Sequence, residues 1–415
     1  FGINSVVSIT DHRLIEQIRE YHSVENNIQF IPIHEDEQDC RARRITAYLD
    51  LLDDLVKRNT ENLRKEAFEP GTGITKYFEM LPESSELKTE YNDMLHAINN
   101  RKQKMQDLLR TKIIPGEIQV NIMTKLDRVN YSKDGEVLPS EYNDAHAALR
   151  GFANSKLQSS LVLSAGLNPR LYGYMASFED FFPDAGGSLK KKIILKVSDY
   201  RSAIIQGKFL AKKGLWISEY RIESGLNCGG HAFASDGHLL GPILKEFKEN
   251  RAQLADSLFE ILSASLTNTK RDLPDKAPVL KISVQGGVGT HEEHEFLIDH
   301  YNVDFVGWGS PFLLVPEVVN VEDDTLDLLA RTGEEGFYLS NVSPLGVPFN
   351  TVKGNSAEIE KQDRVEAGKP GSPCLKEHLV FSKEFTDKPI CMASRQYQKL
   401  KIEELRNEKL SLRDF

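Results

Sequence analysis

Val279-Leu280-Lys281-Ile282-Ser283-Val284-Gln285-Gly286-Gly287-Val288-Gly289-Thr290 reads as an apolar strand that runs into three glycines and then into a carboxylate-rich helix start, His291-Glu292-Glu293. A tight turn between strand and helix needs one glycine. Three within four residues let backbone N–H groups approach an anion, and the helix start adds a favourable dipole. The next apolar run, Val303 to Gly307, closes in the same way, as Val306-Gly307-Trp308-Gly309-Ser310-Pro311-Phe312. In α/β barrels the loops after the last two strands commonly form a phosphate site together. A lone turn of this kind is weak evidence, and a plain turn is its structural alternative; two in succession strengthen each other.

Upstream the same rhythm continues. Short β-rich runs at Ile118 to Met123, Ser160 to Ala165, Lys192 to Val197 and Leu215 to Ile222 alternate with helical stretches at Asp144 to Asn154, Arg201 to Lys213 and Leu240 to Leu262. Such alternation implies parallel strands joined by right-handed crossovers. An open doubly wound sheet satisfies it as well as a closed barrel. Nearly every strand here ends in a polar or glycine-rich loop, whereas a single switch-point crevice needs only one or two. The predicted fold class is therefore α/β, a TIM-type (β/α)8 barrel with a helical N-terminal insertion and a C-terminal extension. Residues 1–40 start the barrel, with β-like runs at Ser5 to Thr10 and Ile28 to Ile33; residues 41–112 form a charged helical insertion or cap, broken at Gly71-Thr72-Gly73. Tyr48, Leu51, Leu52, Leu55 and Val56 mark its buried stripe. Residues 113–318 carry the remaining barrel strands, and 319–415 form an extension that packs on them.

Composition excludes several roles. Of 415 residues, 52 are Lys or Arg and 62 are Asp or Glu, so the net charge is −10. That disfavours nucleic acid and anionic membrane surfaces as partners. The basic clusters Lys190-Lys191-Lys192 and Arg41 to Arg44 sit at element boundaries and read as solvated faces. No apolar run approaches the roughly 20 residues that span a bilayer. Cys40, Cys228, Cys374 and Cys391 are widely spaced, which fits a reducing, cytoplasmic setting better than a disulfide scaffold. The opening Phe1-Gly2-Ile3 has neither a methionine nor a signal-peptide pattern and implies residues upstream.

Two further loops bear on chemistry. Glu223-Ser224-Gly225-Leu226-Asn227-Cys228-Gly229-Gly230-His231 ends a strand, turns through glycines and presents an imidazole, which titrates near neutral pH. The alternative is a histidine that caps the next helix. Cys228 is a weaker nucleophile candidate, since a free cysteine is often a small buried hydrophobe. Ser164-Ala165-Gly166-Leu167-Asn168-Pro169 is a small-residue turn against which a planar ring can lie, and Asn121 offers an amide that both donates and accepts. Alone, either asparagine reads as a turn residue. His291 and His294 beside Glu292, Glu293 and Glu295, and Cys374 with His378 and Cys391, fit no standard zinc spacing, so no metal is expected.

The ordered set Val120-Asn121-Ile122-Met123, Ser164 to Pro169, Gly225 to His231, Gln285 to Val288 and Gly307 to Phe312 resembles the nitronate monooxygenases and the flavin-dependent enoyl-acyl-carrier-protein reductases, which are FMN-binding TIM barrels. The resemblance covers about residues 116 to 318. It implies Asn121 and Met123 near a flavin ring with Gly166 beside it, Gly229 and Gly230 flanking the cofactor, and Gly286, Gly287, Gly309 and Ser310 on its phosphate. It implies His231 as catalytic acid or base. Lys196, near the end of the Lys192 to Val197 run, is a candidate to stabilise a reduced flavin's negative charge, with a solvated or paired lysine as the alternative. The family's glycine-rich first strand has no match in residues 1 to 40, which leaves it upstream of Phe1 or that wall rebuilt.

The expected function is an FMN-dependent oxidoreductase acting on an activated carbon of a nitronate-, enoyl- or carbonyl-type small molecule or acyl thioester, with NAD(P)H as a candidate electron donor. Two rivals stand beside it: a barrel lyase or isomerase that binds a substrate phosphate, and a non-catalytic barrel subunit of a larger complex. A homodimer or partner contact is expected, if anywhere, through the helical region.

Overall fold

The computed structural model describes residues 4–83, 85–124, 127–132, 134–163, 166–223, 240–286, 288–315, 321–340, 349–372 and 380–407. Two compact units divide the chain: Phe1–Ser164 with Asn168–Ile194 and Asp272–Asp275, and Ala165–Leu167 with Leu195–Arg271 and Lys276–Phe415.

In the first unit β1 (Ser5–Ser8), β2 (Ile118–Ile122) and β3 (Ser160–Leu163) pair in parallel, with Val7 opposite Val120 and Asn121 opposite Val162. Helix α1 (His12–Glu25) starts at Asp11, whose carboxylate accepts the N–H groups of Arg13 and Leu14. Ile28 to Ile33 forms no strand, contrary to its β-like composition. Side chains take its backbone groups instead: Glu16 accepts the Ile33 N–H at 2.8 Å, and Arg19 and Arg44 donate to the Ile31 and Ile33 carbonyls. Helix α2 (Cys40–Lys65) packs against α1 and the later helix Asp144–Asn154 and buries Tyr48, Leu51 and Leu55. Past the glycine break, α3 (Gly73–Glu79), α4 (Glu86–His96) and α5 (Asn99–Lys112) close over Phe78, whose ring stacks on Tyr91 at 5.2 Å. Helix α6 (Asp144–Asn154) follows β2, and α7 (Pro169–Met175) follows β3.

β4 (Lys192–Val197) begins in the first unit, where the Lys192 N–H reaches the Ser159 carbonyl, and ends in the second, where the Val197 carbonyl accepts the Glu223 N–H. Not all the basic clusters are solvated. Lys191 is 2% exposed and donates to the carbonyls of Phe152, Ser155 and Leu157, and Arg44 is 6% exposed and donates to the Ile33 carbonyl through two nitrogens.

The second unit continues with α8 (Tyr200–Ala211), β5 (Ile217–Ile222), α9 (Leu240–Asn268), β6 (Lys281–Gln285), α10 (His291–Tyr301) and β7 (Phe305–Gly307). β5, β6 and β7 pair in parallel, with Arg221 opposite Ser283 and Gln285 opposite Gly307. Along β5 successive side chains alternate between faces. Tyr220 lies against α8, its hydroxyl donating to the Ala203 carbonyl at 3.1 Å, and a methyl group at Gly207 would collide with that hydroxyl. Glu219, Arg221 and Glu223 take the opposite face and are still buried.

The hydrogen-bonded order of the sheet is β1 through β7 in strict sequence. A doubly wound sheet reverses direction at a switch point, so this order is that of a barrel wall. It supplies seven of the eight predicted strands among the described residues. Among the described residues of the extension, after α11 (Asp323–Arg331), β8 (Phe337–Ser340) and β9 (Phe349–Val352) pair antiparallel in a sheet of their own and add no eighth strand. Helices α12 (Ser356–Glu366) and α13 (Arg395–Asn407) complete it. Among the described residues no helix is long and apolar enough to cross a membrane.

Candidate functional site at the ends of β4 to β7

A strand that carries buried charges at alternate positions has to satisfy them internally. β5 does so in two layers. In the deeper one the Arg221 guanidinium donates to Glu219 Oε1 through Nε at 3.0 Å and Nη2 at 2.7 Å, and the Ser283 hydroxyl donates to the same oxygen. Here one carboxylate and one guanidinium offset each other. The outer layer lies at the strand exits. The Lys196 ammonium is 2.8 Å from Glu223 Oε2, with side-chain exposures of 10% and 8%. The Gln285 side-chain amide donates to the other Glu223 oxygen at 3.4 Å. One carboxylate thus ties the ends of β4, β5 and β6.

Gln285 leads directly into the first glycine turn. Gly286 has φ of +85°, a conformation that glycine adopts without strain, and its N–H donates to the Gly307 carbonyl at 3.4 Å. The two glycine turns expected to share an anion are therefore neighbours. At Gly309 an added Cβ would meet nothing within 4 Å, so the backbone is open on that side. Ser310 begins a short 3₁₀ turn to Leu314; Gly287 lies outside the described residues. A second bond ties the later turn to the helix after the first: Trp308 Nε1 donates to His294 Nδ1 of α10 at 2.8 Å. Burial, with help from the nearby His291, lowers the His294 pKa and keeps the ring a neutral acceptor. His291 itself lies 3.2 Å from Glu295 Oε1, so both histidines weighed as metal ligands have other partners.

The helix that follows the first turn does not offer its amides as expected. Glu293 Oε2 accepts the Gly289 N–H at 2.8 Å and the Thr290 N–H at 3.1 Å, and Thr290 Oγ1 accepts the Glu293 N–H in return. This reciprocal cap answers the dipole of α10 with the chain's own carboxylate. The N–H groups of Gly289 and Thr290 are therefore taken by this carboxylate.

The other predicted residues fall elsewhere. Asn121 and Met123, both half-buried, belong to the first unit, where the Asn121 carbonyl accepts the Ile9 N–H at 3.3 Å. Gly166, assigned to the second unit, has φ of +124°, open in practice to glycine alone. Asn168 follows its turn-residue alternative: its side chain caps α7 by accepting the Leu171 N–H and donates to the Thr124 carbonyl at 2.9 Å. His231, Gly229, Gly230 and Cys228 lie outside the described residues. Sequence reasoning missed Glu223, Gln285 and the Glu219–Arg221 pair. The signal was present as Glu219-x-Arg221-x-Glu223 inside an apolar strand, a spacing that puts three charges on one face.

No protein-family model matches the chain, and no curated protein is similar to it. Among solved structures it is similar to the enoyl reductase domain of MlnA from the macrolactin biosynthesis cluster of Bacillus amyloliquefaciens, at 15% identity and a TM-score of 0.40 over 75% of this chain and 69% of that one. It is also similar to an HpcH/Hpal aldolase/citrate lyase family protein from Burkholderia cenocepacia J2315, at 9% identity and a TM-score of 0.23 over 56% of this chain and 81% of the other. Likenesses of that extent carry no argument about activity, and the functional reading rests on the side chains at the strand ends.

Proposed function

We propose that the chain is an FMN-dependent oxidoreductase on a (β/α)8-type wall, acting on the activated carbon of a nitronate, enoyl or carbonyl compound. The observation that supports it most is the pairing of the two glycine turns through the Gly286 N–H and the Gly307 carbonyl, beside a buried ammonium at the same strand ends. These features fit a planar, phosphate-bearing group. Gly286, Gly287, Gly309 and Ser310 would hold the phosphate, Gly166, Gly229 and Gly230 would border the ring, and Lys196 would face its negative charge. The flavin, when bound, supplies the hydride chemistry; the chain orients it, excludes water and moves a proton through His231.

Titration of the purified chain with FMN, read by quenching of flavin fluorescence, tests this directly. Gly309 has φ of −133° and ψ of −81°, outside the extended region, with free space for a new Cβ, so Gly309→Ala should fold with at most a small loss of Tm. It should weaken FMN binding by roughly tenfold or more, about 1.4 kcal/mol, by filling the approach to the backbone. Wild-type protein that binds a sugar phosphate and ignores FMN would instead support the lyase or isomerase reading.

A further inference from the structure

We propose that Glu223 is the positioning residue of this site: it fixes Lys196 and Gln285 at the exits of three consecutive strands and sets how much of the Lys196 charge an incoming anion meets. The inference rests on the flavin reading for its ligand, but not for its geometry. Glu223 is held by backbone before its side chain acts. It stands one residue past β5, and its N–H still donates to the Val197 carbonyl at 3.0 Å, so the carboxylate starts from the ladder and not from a free loop. Its two oxygens are divided between neighbours, Oε2 to Lys196 on β4 and Oε1 to Gln285 on β6. Gln285 immediately precedes the first glycine turn, so the carboxylate also fixes where that turn begins.

Charge accounting assigns its partner. Arg221, two residues earlier on the same face, already has Glu219 as its counter-ion. Glu223 is therefore not needed for the deeper layer and serves Lys196. With both side chains about nine-tenths buried, water screens the pair poorly, and removing one member leaves the other as an uncompensated buried charge. A ligand anion that approaches Lys196 must share it with Glu223. Glu223→Gln keeps the shape and an acceptor oxygen but frees the ammonium's charge; Lys196→Met strands the carboxylate.

The test is a cycle of wild type, Glu223→Gln, Lys196→Met and the double variant, read in two ways. With FMN as probe, the ratio of reduced to oxidised FMN affinity should rise about tenfold or more in Glu223→Gln, fall by a similar factor in Lys196→Met, and return toward wild type in the double. Without ligand, each single substitution should lower Tm, and the double should lose less than the sum. Opposite signs cannot arise from a purely structural role. Strictly additive Tm losses overturn the proposal whether or not flavin binds. Bound FMN with the same ratio in all four proteins also overturns it. If no variant binds FMN while the Tm coupling persists, the flavin reading falls and the positioning role of Glu223 stands.

Discussion

The two ends of β4 each bury a lysine, and they solve the same electrostatic problem in opposite ways. Lys191, just before the strand, donates to the carbonyls of Phe152, Ser155 and Leu157 at 2.9, 2.7 and 2.6 Å, with its ammonium over the Phe152 ring. These acceptors lie at the C-terminal end of α6, where a cation meets the favourable end of the dipole. Lys196, near the far end, is met by one carboxylate. Neutral carbonyls in a closed cage cannot be exchanged for anything arriving from outside. A carboxylate at a strand exit competes with any other anion. Burial alone therefore says little about role; what the cation is bonded to says more.

The largest expected effect lies at the closed end. Lys191→Met leaves carbonyls without their donor and should cost about 3 kcal/mol in urea denaturation, with FMN binding unchanged. Altered FMN affinity in that variant would erase the distinction between the two lysines. A pH series sharpens it. Burial pushes the Lys191 pKa from 10.5 down to about 8. Its folded-state value thus lies below its unfolded one, and as pH falls through that window the unfolded chain takes up the proton first. Wild-type stability, measured relative to Lys191→Met, should fall as pH drops from 10.5 to 8; a flat difference would mean that the carbonyl cage holds the ammonium against burial. The smallest effect belongs to the bond between the second glycine turn and α10. Trp308→Phe removes one hydrogen bond, worth about 1 kcal/mol. His294→Phe should also abolish a small loss of stability below pH 6.5, where the unfolded histidine protonates and the half-buried, lowered one resists. An identical acid slope in both proteins would remove His294 from that account.

Much of the wall was legible in the sequence, because apolar runs with glycine exits specify parallel strands with little help from the rest of the chain. The sequence reading of Asp144 to Asn154 coincides with α6, and the break at Gly71-Thr72-Gly73 separates α2 from α3. Ile28 to Ile33 misled because composition cannot show that Glu16, Arg19 and Arg44 will claim its backbone groups. Reading residues 319–415 only as an extension left β9 and α12 unassigned. At the site, adjacency of the glycine turns followed from strand order. The Lys196–Glu223 pair did not, since cross-strand partners depend on register, which local pattern leaves open.

Gly207 and Tyr220 show how that register is kept. Strand side chains repeat every second residue, so a slip of β5 by one position would turn Glu219, Arg221 and Glu223 toward the helices and Tyr220 toward the interior. The phenol can reach the Ala203 carbonyl only across a helix turn that carries no side chain at residue 207. A single hydrogen atom on the outer surface of the wall thus decides which way three charges face on its inner surface, some distance from any chemistry they perform.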